Sequence, residues 1–124
     1  MRGAVEGKLS NKDAAMLERA RKAATTSTCN IKHGAIVVSG GSVRSIGVNT
    51  YHQPDIKMLD FVPKSGWSIH AEEAALKAID YKAHGAVLYV ARVNSRGEER
   101  YSKPCSRCQK LIEAAGIKRV VYTV

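Results

Sequence analysis

The chain has 124 residues, a formal net charge of +9 at neutral pH and 44% hydrophobic residues. At this length we expect one domain over residues 1–124, because a second would lack room for a core of its own. The composition excludes a disordered chain, which would be more charged and poorer in aliphatic residues. No apolar run is long enough for a membrane span. The positive charge indicates an anionic partner or a solvated basic surface.

The cysteines and the N-terminus indicate the compartment. Three cysteines, two of them at positions 105 and 108, form a poor disulfide framework and a better metal pattern for a reducing environment. The N-terminal residues include no apolar run of the length that a signal peptide needs. We therefore expect a cytoplasmic protein.

The first half of the chain predicts a helix followed by a β-hairpin. The helix is expected to begin with Asn11 or Asp13 as its cap and to run to about Ala24. Two short strands follow, over residues 35–38 and 43–48, and the glycine-containing turn between them joins them as a hairpin. Residues 50–67 have no sustained period and are predicted to be a loop, which at this length usually serves a function.

The second half predicts helices that alternate with strands. A helix is expected to start with Ser68 as its N-cap, and another to run from Pro104 to about Ala115. The strand between them, over residues 86–91, has no polar alternation and should be buried on both faces. A last strand is expected over residues 117–124.

This order of elements, α-β-β-α-β-α-β, predicts the α/β class and a three-layer α/β/α sandwich. Its central mixed sheet would have four to five strands, with the hairpin formed by the first two and helices on both faces. The last predicted strand would be an exposed edge, so we expect a subunit contact or a covering loop there.

Residues of metal-ligand type occur at two predicted helix starts. Cys105 and Cys108 are three apart, so on a helix both thiolates point to one face and reach one ion. His70 at the mouth of the other helix supplies a third ligand. Three protein ligands leave one tetrahedral position for water, as in catalytic zinc sites. Glu72 is not needed as a ligand and is placed to move protons.

The motif His70-Ala71-Glu72 followed by Pro104 to Cys108 resembles the signature of zinc nucleobase deaminases. Over nearly its whole length the chain is similar to the cytidine and deoxycytidylate deaminase superfamily, and most similar to the deoxycytidylate branch. Further matching stretches are Gly34 to Val38, Gly47-Val48-Asn49, Leu88-Tyr89-Val90 and Gly116 to Tyr122. The resemblance implies a Zn²⁺ cofactor, a dimer or larger homo-oligomer, and hydrolytic release of ammonia.

By position, the resemblance implies that Asn49 contacts the substrate and that the backbone N–H of Ala71 binds the base carbonyl. It also places Tyr101 against the base. His33, before the first strand, is either a substrate contact or a local loop contact. Trp67 either walls the pocket or packs in the core.

Cys29 and several basic residues are further candidates for the site. Cys29 could join a second metal site with His52 or His84, or be a small buried thiol. One of the basic residues near the second motif, or one before the first strand, is expected to contact a monophosphate. These candidates are Arg92, Arg96, Arg100, Lys103, Arg107 and Lys32.

Three functions are consistent with these patterns. The first is deamination of a free cytosine nucleotide or nucleoside, with dCMP preferred over cytidine or deoxycytidine. The second is deamination of cytosine or adenine in single-stranded DNA or RNA, which the charge favours but which lacks an aromatic and basic stacking platform. The third is a non-catalytic zinc module that binds nucleic acid, which would have no need of Glu72.

Overall fold

The computed structural model describes residues 3–4, 9–51 and 68–123. Within these ranges, no helix has both the length and the apolar character needed to cross a membrane.

The described residues form helices α1 (Asn11–Ala24), α2 (Ala71–Ala78) and α3 (Ser106–Ala114). The predicted cap of α1 was wrong, because Ser10 is the N-cap and its hydroxyl accepts a hydrogen bond from the Asp13 N–H at 3.0 Å. Two other predicted starts were early by a few residues. Ser68 lies in a strand before α2, and Pro104 precedes the N-cap of α3.

Eight strands lie in the same described ranges, and several are only two residues long. They are β1 (Gly3–Ala4), β2 (Lys32–Ser39), β3 (Ser42–Val48), β4 (Thr50–Tyr51), β5 (Ser68–Ile69), β6 (Val87–Val93), β7 (Glu99–Arg100) and β8 (Arg119–Tyr122). The predicted loop 50–67 thus begins with β4, which pairs antiparallel with β5 directly after the loop. Residues 52–67 lie outside the described part.

The main sheet has the order β1-β8-β6-β2-β3, with β7 paired to β6. Strands β2 and β3 form the predicted antiparallel hairpin, and β2 also pairs antiparallel with β6. The β6–β8 and β1–β8 pairs are parallel. The predicted mixed sheet is therefore confirmed. The free edge expected at β8 is covered along two residues by β1, and the subunit contact expected there stays a prediction.

Helices cover both faces of this sheet, which confirms the predicted three layers. Successive residues of β2 point to opposite faces. Ala35 and Val37 pack with α2 and α3, whereas Ile36 and Val38 pack with α1. As predicted, β6 is almost wholly buried between the layers. The helices α2 and α3 thus lie side by side on one face, with their N-termini available to form a site.

Candidate metal centre

The first turns of α2 and α3 bring the predicted metal ligands together. His70 is the N-cap of α2 and Cys105 is the N-cap of α3. Both have extended backbone, and neither side chain makes a capping hydrogen bond, so both are free to point away from their own helix. Cys108 lies one turn into α3 and is buried.

The three ligand atoms all lie within 4.8 Å of one another, close enough to bind one ion. The His70 Nδ1 atom lies 3.2 Å from the Cys108 Sγ and 3.6 Å from the Cys105 Sγ. Zinc–sulfur bonds near 2.3 Å and zinc–nitrogen bonds near 2.0 Å that meet at a tetrahedral angle place nitrogen and sulfur about 3.5 Å apart, so both distances lie within about 0.3 Å of this value. In the part of the chain that the structure describes, these residues form the only group of three such ligands within reach of one ion. Their chemistry and spacing fit zinc.

Close packing holds the two helices in place. Gly47 of β3 lies directly under α2, where a Cβ atom would come within 2.4 Å of both the Ala71 carbonyl oxygen and the Ala75 nitrogen. Only glycine permits this approach without displacing the helix. The Arg107 guanidinium lies 2.7 Å from the Glu73 carboxylate and links α3 to α2. The positions of His70 and Glu72 therefore depend on the β3–α2 contact.

Glu72 is only 5% exposed and lies on the first turn of α2. Burial raises the pKa of its carboxyl, and a hydrogen bond from its own N–H opposes this only in part. A carboxyl with a raised pKa exchanges protons more readily near neutral pH than an exposed one. Its environment therefore suits a general acid and base.

Burial also raises the pKa of the Cys108 thiol in the metal-free chain, and the nearby Glu72 carboxylate adds to this effect. Zinc binds thiolates, so it has to displace the Cys108 proton. Metal binding at this centre is therefore coupled to proton release.

A cavity of about 460 Å³ opens beside the cluster. The residues that line it are Cys29, Asn30, Ile31, His33, Asn49, His70, Glu72, Ser102, Lys103 and Cys105. A volume of this size is typical of small-molecule sites.

The structure places only some of the predicted substrate contacts at the cavity. His33 and Asn49 line the cavity. Ala71 is fully buried as the first residue of α2. Tyr101 is 55% exposed and is absent from the lining, and its ring meets Tyr122 edge to face at 6.0 Å. Trp67 lies outside the described residues.

The ring of His33 is neutral at physiological pH. Burial is the main cause that lowers its pKa, to about 4, and the positive charge of the nearby Arg92 guanidinium adds to the effect. The ring therefore meets a substrate as a neutral hydrogen-bonding group.

The cavity is also lined by three residues that no sequence pattern indicated, namely Asn30, Ile31 and Ser102. Asn30 and Ile31 lie in an irregular segment without a motif, although an exposed isoleucine just before a strand is a weak signal. Ser102 lies two residues before the Pro104–Cys108 motif, and its hydroxyl donates to the Val90 carbonyl at 2.9 Å. Its role in joining strands could not be seen from the sequence.

Cys29 has the burial expected of the simpler of its two predicted roles. It is a buried thiol at the cavity wall, and its Sγ lies 3.7 Å from the Asn49 carbonyl oxygen. His84 packs beside Gly116. His52 lies outside the described residues, and within the described ones Cys29 joins no metal-binding group.

Comparison with known proteins agrees with this geometry. The family model for the cytidine and deoxycytidylate deaminase zinc-binding region matches residues 10–124. No curated protein sequence matches the chain significantly.

Solved structures have the same architecture. The dCMP deaminase of cyanophage S-TIM5 is 25% identical, with a TM-score of 0.67 over 93% of this chain and 84% of that one. The cytidine deaminase of Mycobacterium tuberculosis is 25% identical, with a TM-score of 0.55 over 88% and 83%. RibD of Acinetobacter baumannii, 22% identical, has the fold over 90% of this chain and 27% of its own, with a TM-score of 0.52.

The family match spans more than nine-tenths of the chain and includes the three ligands and Glu72. This chain therefore belongs to the cytidine and deoxycytidylate deaminase family and is a zinc-dependent deaminase.

Proposed function

We propose that the protein converts dCMP and water to dUMP and ammonia. The observation that carries the proposal is one cavity that joins the His70, Cys105 and Cys108 cluster, the buried carboxyl of Glu72 and the ammonium of Lys103. The first two features serve deamination of a cytosine ring, and the third favours a substrate that bears a phosphate.

Glu72 is the proposed proton carrier. Zinc, when bound, supplies a Lewis acid that makes water a nucleophile near neutral pH. The Glu72 carboxylate accepts a proton from the attacking water and delivers it to N3 of the ring. It then transfers the second proton to the amino group at C4, which leaves as ammonia. Burial of Glu72 supports this role, because it brings the carboxyl pKa closer to the working pH.

Lys103 is the proposed phosphate contact. Of the six basic residues considered from the sequence, it is the only one that lines the cavity in the described part of the chain. Arg107 is paired with Glu73, and the Lys32 ammonium donates to the Ser27 carbonyl. Glu72 is the only acidic residue in the described lining, so no second carboxylate there opposes the binding of an anionic group.

The test is ammonia release from a panel of dCMP, CMP, deoxycytidine, cytidine and a short cytosine-containing single strand. We expect the highest kcat/KM for dCMP. Deoxycytidine turned over as efficiently as dCMP would refute the phosphate preference, and preference for the single strand would favour the nucleic-acid alternative.

Two variants test the assigned roles. Glu72→Gln should keep zinc and lower kcat by roughly 10²–10⁴. Lys103→Met should lower kcat/KM for dCMP and leave that for deoxycytidine near the wild-type value, since only dCMP has the phosphate. Near-normal turnover by Glu72→Gln would disprove the mechanism.

A further inference from the structure

The segment of residues 27–33 forms one wall of the cavity. It joins α1 to β2 and contributes Cys29, Asn30, Ile31 and His33 to the lining. Most of the segment lies outside helix and strand, so the regular hydrogen bonds of a helix or sheet do not hold it. Other contacts must therefore define the position of this wall.

Asn49, just after β3, supplies those contacts. Its side-chain Nδ2 donates to the Ile31 carbonyl at 2.7 Å, and its Oδ1 accepts from the His33 N–H at 2.7 Å. Its backbone is bound to the same segment, since its N–H donates to the His33 carbonyl at 3.2 Å and its carbonyl accepts from the Ser27 hydroxyl at 2.8 Å. Both ends of the wall segment are thus attached to one residue.

The geometry points to Asn49 as a positioning residue that sets the cavity wall through its hydrogen bonds to residues 27–33. Only an amide side chain of this length offers a donor to Ile31 and an acceptor to His33 at once. Asn49 is 8% exposed, so its loss would leave the Ile31 carbonyl and the His33 N–H without partners. A direct substrate contact alone would need none of these bonds.

Ser27 distinguishes the two roles. It lies outside the described cavity lining, yet its hydroxyl holds the Asn49 carbonyl and accepts from the Cys29 N–H at 3.2 Å. If Asn49 acts by positioning the wall, Ser27→Ala weakens substrate binding as Asn49→Ala does. If Asn49 acts only by touching substrate, Ser27→Ala has no effect on substrate binding.

Asn94 provides a matched control. Its Oδ1 accepts from the backbone N–H groups of Arg96 and Glu98, each at 2.9 Å, in a turn that does not line the cavity. Asn94→Ala therefore removes the same kind of side-chain to backbone contact away from the site.

The first measurement is kinetic and rests on the proposed function for its substrate. Loss of two hydrogen bonds should raise KM about tenfold or more in Asn49→Ala. We expect a smaller rise in Ser27→Ala and no change in Asn94→Ala. Zinc content should stay near the wild-type value in all three variants, since none of these residues is a metal ligand. In Ser27→Ala and Asn94→Ala, kcat should stay within a fewfold of wild type, since neither residue lines the cavity.

The second measurement does not depend on any substrate. Cys29 is 4% exposed in the wall, whereas Cys105 and Cys108 are occupied in the zinc-loaded protein. Alkylation of zinc-loaded protein with N-ethylmaleimide, followed by peptide mass mapping, reports how often the wall opens at Cys29. Cys29 should react at least several times faster in Asn49→Ala and in Ser27→Ala, and at the wild-type rate in Asn94→Ala.

Each outcome decides the inference. A raised KM together with faster alkylation of Cys29 supports it, and Ser27→Ala carries the test if Asn49→Ala does not fold. Wild-type reactivity of Cys29 in these variants overturns it whatever happens to KM, and so does faster alkylation with unchanged KM. A wild-type enzyme without activity on any cytosine compound refutes the proposed function, and the alkylation rates still decide the role of Asn49.

Discussion

Replacing Gly47 by alanine should displace α2 and, with it, Glu72. The new Cβ would lie 2.4 Å from the Ala71 carbonyl oxygen and 2.4 Å from the Ala75 nitrogen. Ordinary contact begins near 3.4 Å, so the helix has to move by about 1 Å. These are backbone atoms that cannot rotate away, which puts the cost near the upper end of overpacking, about 3 kcal/mol.

The displacement should also reduce catalysis. A shift of about 1 Å in a reacting group lowers rates by roughly 10². We therefore expect Gly47→Ala to lower both the urea midpoint of unfolding and kcat, measured at a temperature where the variant remains folded and loaded with zinc.

Gly34→Ala is the matched control. Its Cβ would lie 2.2 Å from the Ala20 carbonyl oxygen and 2.6 Å from the Ala24 nitrogen, on the opposite face of the sheet. The steric overlap with the helix backbone is similar, but no described residue of α1 lines the cavity. The free energy of unfolding should fall by a similar amount in both variants, whereas kcat should fall much less in Gly34→Ala than in Gly47→Ala. Equal losses of kcat in the two folded, zinc-loaded variants, or wild-type stability of Gly47→Ala, would refute the reasoning.

Three further predictions concern titration. Because burial raises the pKa of Glu72, its charged form destabilises the metal-free fold. The metal-free Glu72→Gln variant should therefore have the same free energy of unfolding in urea as wild type near pH 4, and a higher one as the pH rises. A difference in this free energy that does not change with pH would contradict the prediction. Zinc affinity, measured with a competing chelator, should increase with pH through neutrality, because the pKa of the Cys108 thiol is raised well above its usual value and zinc binding releases this proton; a pH-independent affinity would exclude thiolate ligation. The Arg119 guanidinium beside Asp13 lowers the pKa of that carboxyl to about 2. Asp13→Asn should cost on the order of 2 kcal/mol at neutral pH, a difference that disappears between about pH 4 and pH 2.

The amino-acid sequence alone predicted the metal ligands and the layer order. His70, Glu72, Cys105 and Cys108 belong to short motifs whose residue types already define the chemistry, and hydrophobic periodicity defined the helices and strands around them. The predicted oligomer and cytoplasmic location stay predictions.

The helix N-caps and the partners of Asp13 depend on the tertiary structure. The sequence pointed to Ser68 and Pro104 as helix starts, but the N-caps are His70 and Cys105. Asp13 was considered a cap, yet its carboxylate accepts from the Tyr89 hydroxyl at 2.6 Å and from Arg119 at 2.9 Å. These partners are 76 and 106 residues away along the chain, so no local pattern could identify them.

The metal ligands can thus be predicted from local sequence, whereas the cavity wall cannot. The ligands follow from local sequence, because helix geometry fixes the spacing of Cys105 and Cys108 within one turn. The cavity wall at Asn30 and Ile31 depends on β2 pairing with β3, which brings Asn49 to that segment. The turn and the hydrophobic pattern predict the hairpin, but its register shifts at an irregularity between Val37 and Val38. The residue that meets the wall segment therefore could not be identified from the turn alone.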